Sequence, residues 1–373
     1  MGIDSAPNRS SYNRAAVRVP LFAMAAIALL AGMWGGLGRG GAEIPPGSLA
    51  ELQGPLLICG LYGTLISLER AVALNSNWAY SAPCSCALGT VALVSGASVA
   101  VGAGAYALAA GAYSAVSLAI TLRQPALFTG TLLFGALAWL AGNLLWVMGS
   151  PIGDVIGWWL AFLLLTVAGE RLELSRLREP KRGSEALFLF ALGMVLIGAQ
   201  NAITSTIGST LFGMALLITT AWLLRHDIAW LNVRRPGPTR FMAVCMIAGY
   251  GWLAMAGIIL LAFPPDTSTF GYDVALHAML VGFVLSMVFG HTLIIFPAVI
   301  RVRVHYTRLL YAPLLLLHGA VALRVGSGLA EWESGRAVSG ALSALVLMGF
   351  AIALAISPKR RSEPGSGAPV PAG

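Results

Sequence analysis

The chain has 373 residues and is strongly apolar: 58% of its residues are hydrophobic, 10% are charged, and the mean hydropathy is +0.81. A soluble globular enzyme has about a quarter of its residues charged, so this composition excludes that class and predicts a protein embedded in a lipid bilayer. The net charge is +8. Because membrane proteins collect Lys and Arg at the cytoplasmic ends of their helices, against anionic lipid, this charge indicates no nucleic-acid partner.

Apolar windows bounded by charged residues predict twelve transmembrane helices of about 20 residues each. The windows lie at residues 20–38, 48–68, 79–100, 103–122, 125–147, 151–169, 185–203, 207–224, 240–263, 272–300, 307–326 and 337–357. We divide the third window from the fourth at the Gly-rich stretch around Gly102, because one span over residues 79–122 would be too long for the hydrocarbon layer. The expected fold is an all-α polytopic membrane protein.

A single transmembrane domain is predicted over residues 19–358. Residues 1–18 form a polar, basic tail. The apolar segment that follows this tail has no small-residue cleavage site, so we interpret it as an uncleaved first helix rather than a signal peptide. Residues 359–373 are rich in Pro, Gly and Ala, and this composition predicts a disordered tail.

The positive charges predict the orientation of the helices. If both termini are cytoplasmic, 20 of the 23 Lys and Arg residues fall on the cytoplasmic side, and only Arg39, Arg324 and Arg336 lie outside. This asymmetry agrees with the positive-inside rule, and termini on the same side require an even number of spans, which favours twelve over eleven. We expect a multi-pass protein of the bacterial cytoplasmic (inner) membrane with both tails cytoplasmic.

A Glu-Arg pair ends two predicted helices that are four helices apart. The pairs are Glu69-Arg70 and Glu170-Arg171, and the tenth window, which is next in the series, ends near Arg301. Three repeats of four helices would build twelve spans, and internal repeats are common in polytopic folds. The alternative is that every cytoplasmic helix end needs a basic anchor, which would produce the same match by chance.

The four cysteines show no metal-ligand spacing of the CxxC type. Cys84 and Cys86 lie at the cytoplasmic end of the third window, where thiols stay reduced, so no disulfide is predicted. A soft copper(I) site at this pair is conceivable. The simpler interpretation is a pair of small side chains that pack inside the bundle.

Three histidines lie within predicted helices, where ionisable side chains are costly and mark functional sites. His277 lies near the outer end of the tenth window. His291 is expected on the same helix face, roughly 21 Å closer to the cytoplasm. His318 lies near the middle of the eleventh window, where it could face His291. Neutral imidazole is a common ligand of haem iron and copper, so all three are candidate ligands, with interhelical hydrogen bonding as the alternative role.

Two further side chains extend this candidate site. Met287 precedes His291 by one helical turn and could supply a thioether ligand, although a Met in an apolar helix more often only packs. Gln53 lies near the outer end of the second window, at the same depth as His277. Its amide could therefore hydrogen-bond the imidazole of His277 or a bound ligand.

Four segments of the chain carry a resemblance to known proteins. They are residues 53–60 (QGPLLICG), 63–72 (GTLISLERAV), 169–176 (GERLELSR) and 277–291, which runs from HAMLVGF to FGH. The chain resembles a group of bacterial membrane proteins that is similar to the NnrS family of haem- and copper-containing proteins, and it resembles more distantly the catalytic subunit of haem-copper oxidases. The resemblance implies haem or copper binding, with a role in nitric oxide tolerance or in electron transfer with a partner.

The oxidase resemblance also implies twelve helices in three arcs of four, with a low-spin haem held by histidines of the second and tenth helices. His277 matches the tenth-helix ligand, whereas the second-helix position is Gln53, so a second axial ligand would have to be His291, Met287 or another residue. The oxidases hold copper with histidines of their sixth and seventh helices. The corresponding windows here contain no histidine, so rapid reduction of oxygen or nitric oxide is not expected.

Two alternatives remain open at the level of sequence. The first is a transporter or channel whose cavity is lined by Gln53, His277, His291 and His318, with the histidines relaying protons or contacting substrate. The second is a structural subunit in which the histidines only pack. The sequence predicts neither an enzymatic reaction nor an oligomeric state.

Overall fold

The computed structural model describes residues 9–39, 48–175, 182–265, 268–300 and 305–356, and these ranges contain helices and no β-strand. Their long helices are α1 (Arg9–Arg39), α2 (Gln53–Leu74), α3 (Ser81–Val94), α4 (Val99–Arg123), α5 (Leu127–Val147), α6 (Ile152–Ser175), α7 (Arg182–Ala199), α8 (Thr206–His226), α9 (Pro238–Ala262), α10 (Gly271–His277, continued through Ala278–Val284 and Leu285–Ile300), α11 (Tyr311–Leu329) and α12 (Glu333–Ala355). Short helices at Ser48–Glu51, Asn77–Tyr80, Ala229–Asn232 and Arg308–Leu310 lie in the connections.

Ten of the helices in the described ranges are long and apolar enough to cross a membrane. The other two long helices are α3, with 14 residues, and α7, whose apolar part is Gly183–Ala199. The all-α polytopic fold that the composition predicts is therefore confirmed, and the apolar helices indicate a lipid bilayer environment. Twelve complete crossings stay a prediction.

Two predicted boundaries differ from the structure. Helix α1 begins at Arg9, inside the segment predicted as a tail. The break between α3 and α4 precedes Val99 rather than following Gly102, because Gly96 has a φ of +80°, a conformation that glycine adopts without strain. Gly102 lies within α4 and packs against Leu93. The predicted disordered tail and the arginines at the end of the tenth window lie outside the described residues.

Helices α2 and α10 each contain seven residues of π-helix, at Leu56–Tyr62 and Ala278–Val284. In a π-helix the backbone hydrogen bonds span one residue more than in an α-helix, so each residue advances the helix by a smaller rotation. The second of these segments lies between His277 and His291. The expectation that these two histidines share a face assumed a uniform α-helix, and that assumption does not hold here.

Helix α6 is the most buried of the ten apolar helices. Large rings fix its position: Phe162 of α6 stacks on Trp139 of α5 with a centroid distance of 4.9 Å, and Tyr113 of α4 contacts both rings edge-on. Aromatic contacts of this kind add stabilisation beyond area burial. Because α6 is held inside the bundle, residues at its two ends contribute to the sites described below.

Candidate functional site

A cavity of about 320 Å³ lies at one end of the bundle, mainly between α1, α2, α10, α11 and α12. The C-terminal parts of α1 and α11 and the N-terminal parts of α2, α10 and α12 meet there, as alternating helix directions require. Its volume is within the range of small-molecule binding sites. This is the end of the bundle that the charge pattern predicts to be outside, and we call the space the outer cavity.

The outer cavity is apolar inside and cationic around its rim. Its aliphatic lining includes Leu29, Leu57, Leu61, Leu280, Val281 and Leu347, and its polar lining includes Arg39, Gln53, Asp273, His277, Arg324 and Arg336. The arginines in this set are the three that the charge pattern places outside. Their common site cannot be predicted from sequence, because Arg39 of α1 is far along the chain from Arg324 and Arg336, which lie on the consecutive helices α11 and α12.

Asp273, at the start of α10, holds two of these arginines. Its carboxylate accepts two hydrogen bonds from Arg324, at 2.8 and 3.0 Å, and lies 3.4 Å from Nη2 of Arg336. Arg336 also covers the ring of Phe270 at 3.8 Å from the centroid, which is a cation–π contact. One carboxylate thus faces two guanidinium groups, so the rim of the outer cavity keeps a net positive charge.

His277 lines the outer cavity, and its side chain is 27% exposed. Its Nδ1 lies 2.8 Å from the main-chain carbonyl of Asp273 and 3.3 Å from the Oδ1 of the same residue. Both neighbours are acceptors, so Nδ1 carries the proton of the neutral ring and Nε2 keeps its lone pair. The Nε2 atom of His277 can therefore act as a metal ligand.

Gln53, at the start of α2, lines the same cavity and is half-buried. Its amide lies against Gly36 of α1, where an added Cβ would stand 2.6 Å from Nε2 of Gln53. Glycine is needed at this position for so close an approach. The structure thus brings Gln53 and His277 to one cavity, in agreement with their common depth in the sequence.

His291 is not in the lining of the outer cavity. Its Nε2 lies 2.6 Å from Nη2 of Arg171, and its Nδ1 donates to the carbonyl oxygen of Met287 at 2.6 Å. Both ring nitrogens are therefore engaged, and no lone pair is left for a metal. Met287 itself is buried, with its methyl group close to Gly249 of α9, as expected of a packing residue.

His318 also lies outside the outer cavity lining, against α9. Its Nδ1 accepts a hydrogen bond from Nε1 of Trp252 at 2.9 Å, so the proton of the neutral ring lies on Nε2. The Nε2 atom is buried and has no hydrogen-bond partner among the described residues. The sequence suggests that His318 could face His291. In the structure each has its own partner: His291 contacts Arg171, and His318 contacts Trp252.

A chain of polar contacts joins α2, α6 and α10 at the other end of the bundle. Arg70 pairs with Glu170 at 3.1 Å, and the next residue, Arg171, is the buried partner of His291. Arg171 also approaches the sulfur of Met246 at 3.2 Å. The repeated Glu-Arg pairs of the sequence therefore contact one another across helices, which the spacing of the motifs alone could not reveal.

The cysteines give no support to a copper site. All four are free, Cys86 is fully buried, and Cys59 hydrogen-bonds Trp139 and Asn143. No cluster of three or more His, Cys, Asp and Glu side chains suited to a metal occurs in the part of the chain that the structure describes. Cys84 is half-buried and packs against the apolar cluster of Leu21 and Leu68, so the placement of both Cys84 and Cys86 agrees with their interpretation as small packing residues.

The apolar helices and the cavity define a polytopic helical membrane protein with a ligand-sized site at one end of the helix bundle. Residues 18–358 match the model of a family described as a domain of unknown function, DUF8744, and the chain belongs to that family. Neither the search of curated proteins nor the search of solved structures finds a match.

Proposed function

We propose that this protein is a haem-binding membrane protein, in which the outer cavity would hold one haem and His277 would bind its iron. The observation that carries the proposal is the orientation of His277. Its Nδ1 is hydrogen-bonded within its own helix, and the unprotonated Nε2 belongs to a ring that lines an apolar cavity. A single proximal histidine is sufficient to hold haem iron in proteins.

The lining of the cavity suits haem better than copper. Haem is a flat apolar macrocycle with two carboxylates, and the aliphatic walls and arginine rim complement those two features. A copper site built from imidazole and thioether ligands needs several donors. His277 is the one histidine in the lining of the outer cavity, and Met287 is not part of that lining.

The residues of the site have separable roles in this proposal. Bound haem would supply one-electron chemistry and an iron that binds small ligands. His277 would bind the iron, Asp273 would orient the imidazole, Arg39 and Arg336 would attract the carboxylates, and the aliphatic walls would exclude water. These roles support either electron transfer with a partner or nitric oxide tolerance, the two functions that the NnrS resemblance implies.

The proposal includes the location of the site. We infer that the protein lies in the bacterial inner membrane with both termini cytoplasmic, so the outer cavity would be on the side away from the cytoplasm. The convergence of Arg39, Arg324 and Arg336 on this cavity supports that orientation. Arginines on the outer side depart from the positive-inside distribution, and in this proposal the positive charge that the site needs explains the departure.

An optical spectrum of the purified protein, supplied with haem in lipid nanodiscs, tests the proposal. We expect a Soret band with one haem per chain that is lost in His277→Ala. His318→Ala is the matched control, because His318 is an intramembrane histidine that lies outside the cavity lining, and it should keep the band. A wild-type protein without a Soret band, whether or not it holds copper, would refute the proposal.

The alternative function is a transporter or channel for an anionic amphiphile. The observation in its favour is the same apolar cavity with a cationic rim. However, His291 and His318 are engaged elsewhere in the bundle, so the histidine-lined cavity of that hypothesis contains His277 alone. Absence of haem binding by the wild-type protein would make this alternative the leading one.

A further inference from the structure

Asp273 connects the cationic rim of the outer cavity to the histidine. Its side chain is nearly buried, at 13% exposure. Oδ1 lies 2.8 Å from Nη2 of Arg324 and 3.3 Å from Nδ1 of His277, while Oδ2 lies 3.0 Å from Nε of Arg324 and 3.4 Å from Nη2 of Arg336. Two cations and one imidazole therefore share a single carboxylate.

The main chain and the side chain of Asp273 contribute differently to the site. Its main-chain carbonyl lies 2.8 Å from Nδ1 of His277 and fixes the tautomer without the carboxylate. The specific contribution of the side chain is therefore its negative charge. The side chains of its partners Arg324 and Arg336 are only 13% and 21% exposed. In such poorly solvated surroundings, charges act on one another more strongly than in water.

We infer that Asp273 is a positioning residue that sets the reduction potential of the haem held by His277. This inference rests on the proposed function. Ferric haem carries one more positive charge than ferrous haem, so a carboxylate close to the ligand stabilises the ferric form, and uncompensated arginines stabilise the ferrous form. By balancing Arg324 and Arg336, Asp273 keeps the potential low, and its carboxylate also makes His277 a more basic ligand.

Redox titration of haem-loaded variants in nanodiscs tests this inference. Asp273→Asn keeps the size of the side chain and the main-chain carbonyl but removes the charge, so the potential should rise. Arg336→Gln removes the more distant arginine and leaves the Arg324 pair intact, so the potential should fall. The double variant should return toward the wild-type value, because it restores the balance of charge.

Glu333→Gln is the matched control, since Glu333 lies one turn from Arg336 on α12 and is exposed. Its potential should match the wild type, because solvent screens an exposed charge. The iron–histidine stretching frequency of the ferrous form gives a second readout and should fall in Asp273→Asn, as the imidazole becomes a weaker donor.

The outcomes separate this inference from the proposed function. If the wild type binds no haem, both are overturned. If haem binds through His277 but Asp273→Asn and Arg336→Gln leave the potential unchanged, or shift it in the same direction, only the role of Asp273 is overturned. Where Asp273→Asn alone does not fold, comparison of the double variant with Arg336→Gln isolates the charge of Asp273, because these two proteins differ only at residue 273, and the double variant should have the higher potential.

Discussion

The three histidines in the apolar helices differ in which of their ring nitrogens have a hydrogen-bond partner. His277 bonds to a carbonyl four residues away on its own helix. His291 is held by Arg171, 120 residues distant, and His318 by Trp252, 66 residues distant. The sequence predicts the depth of each histidine, because depth follows from position within a span. It does not predict partners on other helices, and those partners decide which imidazole can bind a metal.

The shared cavity of Gln53 and His277 leads to a prediction for Gln53→His. Both side chains line the outer cavity, so a new imidazole would offer haem a second axial ligand. We expect the haem spectrum to shift toward a six-coordinate low-spin form. Gln53→Leu, which offers no ligand, should keep the wild-type coordination, and an unchanged spectrum in Gln53→His would show that the two positions do not bracket one site.

His291 is predicted to contribute to stability rather than to cofactor binding. Its Nε2 is the acceptor for the buried guanidinium of Arg171. Replacement by Leu removes that acceptor and leaves a buried charged donor unsatisfied, which costs about 1–3 kcal/mol or more. His291→Leu should therefore lower the thermal unfolding temperature in detergent.

The conservative change His291→Gln separates the two roles of this residue. A glutamine oxygen can accept from Arg171, so the unfolding temperature should lie closer to the wild type than that of His291→Leu. Both variants should bind haem at one per chain. Loss of the Soret band in folded His291→Gln would assign His291 to the cofactor instead.

At the scale of the helix, hydropathy predicts where helices lie, but it does not predict their internal geometry. The π-helical segments Leu56–Tyr62 and Ala278–Val284 belong to apolar windows that read as continuous helix. The first begins three residues after the cavity residue Gln53 and the second directly follows His277, and π-helical turns occur frequently at functional sites. The effect of the second segment on helix phase explains why a rotation of 100° per residue does not give the position of His291 relative to His277.

A larger side chain on helix α12 would fill part of the outer cavity and so test whether the ligand binds there. Gly340 lines the outer cavity, and a Cβ added there would meet no atom within 4 Å. Gly340→Leu should therefore fold, since Leu is also a better helix former than Gly. Its side chain would occupy space that a ligand needs, and we expect haem binding, measured as the Soret absorbance per chain, to fall strongly.

The matched control for this change is Gly349→Leu on the same helix. Gly349 also has open space for a Cβ, but it is exposed and does not line the cavity. The gain in helix propensity is the same for both variants, so only the occupied volume differs. Equal haem binding by Gly340→Leu and Gly349→Leu would mean that the ligand does not enter this cavity.

For the whole molecule, the two ends of the bundle carry different polar sites. The rim of the outer cavity gathers Arg39, Arg324 and Arg336, whereas the opposite end holds the Arg70–Glu170 pair and Arg171. The order of charges along the sequence predicts that these two groups lie at opposite ends, because helix direction alternates with each span. Sequence does not show which of these residues contact one another, such as Arg70 with Glu170 or Arg324 with Asp273, since that depends on packing between helices.

The separation of charge predicts the topology of the whole chain. Most Lys and Arg residues should stay cytoplasmic because translocating them across the membrane is unfavourable. Reporter proteins fused after Arg178 and after Ser362 should therefore be active only as cytoplasmic reporters, and a reporter fused after Asp266 should be external. An external reporter at Arg178 would contradict the twelve-span arrangement. It would also place the outer cavity on the cytoplasmic side, where its three arginines would need no special explanation.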